Sequence, residues 1–191
     1  DLKNPHSGAL GALPLEDIRG IVAYLNQQPM AHKSLTSATL GDLPMQAEQW
    51  LPQLDQVIAT GVAIIKIGFF ATEDYQGCLQ AMLPYTQAGH QLIAVLFAET
   101  AYPDSLLADI KQAGFLGVML DTQIKNGLSL FDHYSAEQVS EFAKQVAAQL
   151  ADVAEVIAAR PARGHGAGVA GADRRRDRPA LAAVQPEPGA E

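Results

Sequence analysis

The stretch 61-GVAIIKIGFF-70 places a lysine, Lys66, among residues that are otherwise apolar or glycine. A strand with one wet face alternates apolar and polar side chains. This one is apolar at consecutive positions, so both faces are expected to be shielded, as in the parallel sheets of α/β proteins. A lysine held there gives up hydration, which disfavours the ammonium and lowers its pKa, leaving a neutral amine available for chemistry.

The same grammar extends in both directions. "SLTSATL" (34–40), "QLIAVLFA" (91–98) and "FLGVMLD" (115–121) read as further strands. Helical patterns follow them: "QAEQWLPQLDQVIATG" ending at Gly61, "DYQGCLQAMLPYTQAG", "DSLLADIKQAG" and "SAEQVSEFAKQVAAQLADVAEVIAA". Ahead of these, "DLK" (1–3) has the look of a strand end. It is followed by "LPLEDIRGIVAYLNQQP", where Leu15, Ile18, Ile21, Val22 and Leu25 recur at helical spacing behind Pro14, a good first-turn residue. Five strand-plus-helix units in succession predict an α/β fold with a parallel sheet. An open doubly wound sheet and a (β/α)8 barrel both fit, and five units are too few to close the barrel.

Residues 159–191 break the pattern. Ala, Gly, Pro and Arg dominate them, Ile, Lys and aromatics are missing, and all six of their arginines contrast with Arg19 alone in the preceding body. The domain expectation is therefore a partial barrel over 1–158 and a tail over 159–191. Such a tail lacks the apolar residues to anchor a fold and is expected to be disordered. Codons for these four residue types begin with two G or C bases, so a frameshift near residues 150–160 accounts for the abrupt change better than disorder alone.

The chain has 191 residues, 48% of them hydrophobic and 18% charged, with a net charge of -8. That acidity argues against nucleic acid or an anionic membrane as a partner. The longest apolar runs fall well short of a bilayer span, and nothing reads as a secretory leader. A single cysteine, Cys78, forms no internal disulfide, so a cytoplasmic location is expected and Cys78 reads as a small helix residue. The five histidines have no ligand spacing, so neither a metal nor another cofactor is expected. A homo-oligomer is compatible with the sequence.

In parallel α/β proteins ligands bind at the carboxyl ends of strands. Lys3 and Asp121 stand at such ends, Lys66 is close to one, and Lys125 follows Asp121 by four residues in the loop "DTQIKNG". Amines beside carboxylates suit carbonyl chemistry: one neutral lysine forms a Schiff base while another lysine or an Asp moves protons. Taken singly, a strand lysine more often snorkels to water or pairs with a carboxylate. In "SATLGD", Ser37, Thr39 and Asp42 offer hydroxyls and a carboxylate at another strand end, or else a turn and helix cap. Asp132, His133 and Ser135 in "LFDHYSAEQ" read as a helix start capped by Ser135, not as a triad.

Taken together in this order, "DLKNPHSGALGA", "SATLGD", "IIKIGF" and "DTQIKNGLSLFD" resemble the (5-formylfuran-3-yl)methyl phosphate synthase family over residues 1 to about 150. The resemblance implies a TIM-barrel-like lyase that condenses two molecules of glyceraldehyde 3-phosphate into a furan aldehyde phosphate, an early step toward methanofuran-type cofactors. It implies that Lys3 is the Schiff-base lysine and Lys66 the proton acceptor. Asp1, Asp121 and Lys125 would assist proton transfer or bind phosphate, with Asn4, Ser37, Thr39 and Asp42 near the substrate. Asn126 stands where the family commonly has Asp. The family pattern also has a strand unit before "DLK" and two after residue 150, so the chain matches about strands two to six. The alternatives left open are a non-catalytic fragment that binds a phosphosugar and a different lysine aldolase.

Overall fold

The apolar runs become strands and the amphipathic runs become the helices that follow them, the last expected helix being described as far as Gln149 and its remainder lying outside the described residues. The computed structural model describes residues 1–4, 6–29, 35–124 and 126–149. In chain order the elements are α1 (Leu15–Asn26), β1 (Ser37–Thr39), α2 (Ala47–Ile58), β2 (Ile64–Gly68), α3 (Tyr75–Gln87), β3 (Gln91–Phe97), α4 (Leu106–Gln112), β4 (Gly117–Asp121), α5 (Leu130–His133) and α6 (Ala136–Gln149). The expected tail, 159–191, lies outside the described residues.

All four strands pair in parallel in the order β1-β2-β3-β4. The "DLK" segment joins them through one residue: Leu2 forms an isolated parallel bridge to Ala38, with its N–H donating to the Ser37 carbonyl at 2.6 Å. The first expected unit is thus a single bridge and not a full strand. Local chemistry sets the helix ends. Pro14 is the residue before α1, with extended ψ, and not part of its first turn. Ser135 and Gln138 cap α6 reciprocally, as expected: the Ser135 N–H donates to Gln138 Oε1 at 2.8 Å and the Gln138 N–H to Ser135 Oγ at 3.3 Å.

The two faces of the sheet differ. On one face, Ala38, Ile65, Ile67, Leu92, Ala94, Val118 and Leu120 meet the buried stripes of the helices, among them Ile18 and Val22 of α1, Trp50, Leu54 and Val57 of α2, and Leu106 and Ile110 of α4. Burial of each large side chain stabilises the fold by about 1.5–3 kcal/mol. The opposite face, with Ile93, Val95, Phe97 and Met119, packs against no helix among the described residues; Ala9 and Leu10, from the loop after "DLK", pack there together with Phe70.

A right-handed crossover that always steps the same way along a sheet leaves every helix on one side. A doubly wound sheet reverses direction and has helices on both sides. The sequential order and the helices packed on one face fit a partial (β/α) fold over the described residues. Consecutive apolar positions did signal two covered faces, but loop residues Ala9, Leu10 and Phe70, and not a second helix layer, pack on the second face of the described sheet.

Candidate active site

Strand alternation decides which side chains share the helix-free face. Thr39 is the register partner of Lys66, and Lys66 that of Ile93. Ile93 is in turn the partner of Gly117, so Met119 and Asp121 follow on the same face. One step beyond the Leu2–Ala38 bridge, Lys3 is level with Thr39. The side-chain contacts agree: Lys66 Nζ lies 2.5 Å from Asp1 Oδ1. Ser37 Oγ donates to the same carboxylate oxygen at 3.3 Å. The topology thus brings Asp1, Lys3, Ser37, Thr39, Lys66 and Asp121 to one face.

Lys66 is buried, with 6% of its surface exposed. Burial lowers its pKa to about 8, and the charge of Asp121 offsets part of that effect. Roughly a tenth of a lysine with such a pKa is neutral at pH 7, against well under a thousandth for an ordinary one. Asp121 is itself 3% exposed, and its Oδ1 accepts the Thr122 N–H at 2.7 Å. The sequence reading of Lys66 as a desolvated amine near a carboxylate therefore has a physical counterpart, with a second carboxylate, Asp1, in contact.

The remaining candidates divide. Lys3 and Asn4 are half-buried. The Asn4 N–H donates to the Gly11 carbonyl at 2.7 Å, and its Oδ1 accepts the His6 N–H at 3.0 Å. Thr39 Oγ1 donates to the Leu10 carbonyl at 2.6 Å. Both oxygens of Asp42 are engaged within the chain, accepting the N–H groups of Ala9 at 2.6 Å and Leu10 at 2.8 Å. Asp42 is a clamp on the loop. Lys125 lies outside the described residues. Asp132 accepts the N–H and hydroxyl of Ser129 and caps α5, so Asp132, His133 and Ser135 form no triad. Cys78 is buried and its thiol donates to the Met45 carbonyl at 3.2 Å; burial pushes its pKa up to about 11, which leaves it unreactive.

Glu99, at the carboxyl end of β3, escaped the sequence reading, which sought lysines. Its carboxylate accepts the N–H groups of Gln123 at 2.9 Å and Ile124 at 3.1 Å, and His133 Nε2 lies 3.9 Å away. Burial pushes the carboxyl up, but these hydrogen bonds and His133 outweigh it and hold its pKa below the usual value. Glu99 thereby fastens the loop that follows Asp121. The sign of a lowered carboxyl pKa is fixed: the stabilisation is full above the unfolded value near 4.5 and is lost as pH falls from there through the lower folded value. In Glu99→Gln an amide NH2 faces one of the two N–H donors. A loss of about 1–2 kcal/mol at pH 7 is expected, shrinking below pH 4.5, together with faster amide hydrogen exchange at Gln123 and Ile124. Unchanged exchange would deny Glu99 this role.

Sequence comparison supplies the family. A family model described as 4-HFC-P synthase matches residues 1–188. The chain belongs to the 4-HFC-P synthase family. A protein of Methylorubrum extorquens, provisionally named a (5-formylfuran-3-yl)methyl phosphate synthase, is 36% identical over 142 residues, 74% of this chain and 56% of the relative. The (5-formylfuran-3-yl)methyl phosphate synthases of Methanococcus maripaludis strain C7 and Methanobrevibacter smithii are 32% and 30% identical; each match covers 76% of this chain and 64% of the relative. The chain thus spans about six-tenths of the length of the 4-HFC-P synthases it matches. Among its described residues no helix is long and apolar enough to cross a membrane.

Proposed function

We propose that this chain carries the catalytic wall of a (β/α)8-barrel lyase that condenses two molecules of glyceraldehyde 3-phosphate into (5-formylfuran-3-yl)methyl phosphate. Lys3 attacks the aldehyde carbon of one substrate and, with loss of water, forms a Schiff base. Lys66, in its neutral form, takes the proton from the adjacent carbon, so that the resulting enamine carbon attacks the second aldehyde. Loss of one phosphate and, overall, two waters closes and aromatises the furan, and cleavage of the carbon–nitrogen bond returns Lys3 as the free amine. Asp1 and Asp121 hold the charge that Lys66 acquires, and Asn4, Ser37 and Thr39 stand at the substrate side. No cofactor takes part, and the product serves methanofuran-type cofactor synthesis in the cytoplasm.

The observation that carries this reading is the buried Lys66, in contact with Asp1 and within the field of Asp121, on the helix-free face that also receives Lys3. A lysine paired for stability alone would not need burial on the one face left open by the helices.

Borohydride trapping tests it. Incubation with glyceraldehyde 3-phosphate and reduction should add the substrate mass to the peptide containing Lys3. Labelling confined to Lys66 or Lys125 would reassign the nucleophile, and no adduct at any lysine would remove the mechanism. An aldol adduct without a furan chromophore would mark a different lysine aldolase.

A further inference from the structure

On the helix-free face, residues 6–11 turn back over the strands. Ala9 and Leu10 are 3% and 2% exposed and belong to the small apolar cluster with Val95, Phe97 and Met119. Two anchors hold them: Asp42 accepts both of their N–H groups, and Thr39 donates to the Leu10 carbonyl. Gly8, with φ +66, makes the turn, and a Cβ there would run into the Asp42 carboxylate.

The landing place of Leu10 is specific. A Cβ at Gly68 would meet Leu10 Cδ1 at 2.6 Å. Gly68 lies two residues after Lys66 on the same strand face, while Thr39, bonded to the Leu10 carbonyl, is the register partner of Lys66. Leu10 thus brackets Lys66, its backbone beside one neighbour and its side chain over the other. The absence of a side chain at Gly68 is what makes room for it.

We propose that Leu10 is a positioning residue for Lys66: the segment 6–11, clamped by Asp42 and Thr39, seats Leu10 beside the lysine and excludes water from it. Its consequence for turnover rests on Lys66 being the proton acceptor, but the shielding itself is a physical property of the chain. The charged groups facing Lys66 are Asp1, in contact with it, Lys3 from the same "DLK" segment, and Asp121 from β4; β3 presents the apolar Ile93 beside it. Depression of the Lys66 pKa by burial agrees with an apolar cover at this spot.

The test is a pH titration of amine reactivity in the full chain. Competitive acetylation by acetic anhydride is followed by mass spectrometry of the Lys66 peptide, with the exposed Lys144 as internal standard. The midpoint pH is the readout, because exposure alone changes rates and not midpoints. In the unsubstituted protein the midpoint is expected near pH 8. Leu10→Ala should move it up by about one unit or more, toward an ordinary lysine. Asp42→Asn, which frees the segment and keeps Leu10, should move it the same way. Leu10→Met, of similar volume, should leave it in place. Circular dichroism verifies folding, and Leu10→Val is read if Leu10→Ala does not fold. Folded Leu10→Ala and Asp42→Asn proteins with the original midpoint would overturn the proposal. The titration needs no turnover, so a shift seen in a protein that makes no furan would uphold the shielding and sink the proposed reaction.

Discussion

Lys66→Met should yield a protein that is more stable at pH 7 and catalytically inert. The two effects have one origin. A lysine whose pKa falls from 10.5 to about 8 on folding must carry its proton into a place that disfavours it. At 1.36 kcal/mol per unit the penalty is on the order of 3 kcal/mol as a ceiling, present in full below about pH 8. Between about 8 and 10.5 the folded chain binds fewer protons than the unfolded one, so stability rises with pH across that window. Above it the penalty is gone. Methionine fills similar volume without charge, and the abandoned Asp1 carboxylate is 46% exposed and stays hydrated. The expected gain in urea unfolding is about 1–3 kcal/mol at pH 7, vanishing by about pH 10.5. Loss of a proton acceptor costs about 10²–10⁴-fold in rate. In the unsubstituted protein the rate should climb with pH and level off near 8. A Met variant that is less stable, or that keeps its rate, would show that the lysine serves structure.

With Lys3 as the proposed nucleophile, Lys3→Gln should abolish the borohydride-trapped adduct and lower furan formation by at least about 10³-fold, because the covalent route is then removed altogether. The two lysine variants separate the roles. On the proposed mechanism Lys66→Met leaves the Schiff base at Lys3 able to form, so the trapped adduct should persist or accumulate while product does not. In Lys3→Gln neither appears. An adduct surviving in Lys3→Gln would transfer the nucleophilic role to another lysine. Chromophore appearance and peptide mass together distinguish these results.

Much of this was legible beforehand because it is written in short-range order. The apolar run around Lys66 predicted a strand covered on both faces, and β2 is buried at four of its five positions. The Ser135 cap and the helical pattern that became α2, with Trp50, Leu54 and Val57 buried, are likewise decided within a turn or two of chain. The clamp of Asp42 on Ala9 and Leu10 joins residues more than thirty positions apart, and no periodicity encodes that. The same holds for Glu99, whose carboxylate acts on amides of a loop 24 and 25 residues further on. A carboxylate at a strand end looks the same in sequence whether it meets substrate or ties a loop.

By itself the sequence determined the alternation of strands and helices, the parallel sheet and the desolvated state of Lys66. All three follow from burial patterns along the chain and from the free energy of removing charge from water. Only the tertiary structure decided that the helices lie on one face and that Lys3, Asp1, Lys66 and Asp121 share the other. It also decided that Ala9 and Leu10, from the loop after "DLK", pack against Val95, Phe97 and Met119 on that face. Strand order, register and loop docking are set by contacts between distant segments, and the energy of those contacts depends on shape in three dimensions, which a one-dimensional pattern leaves open.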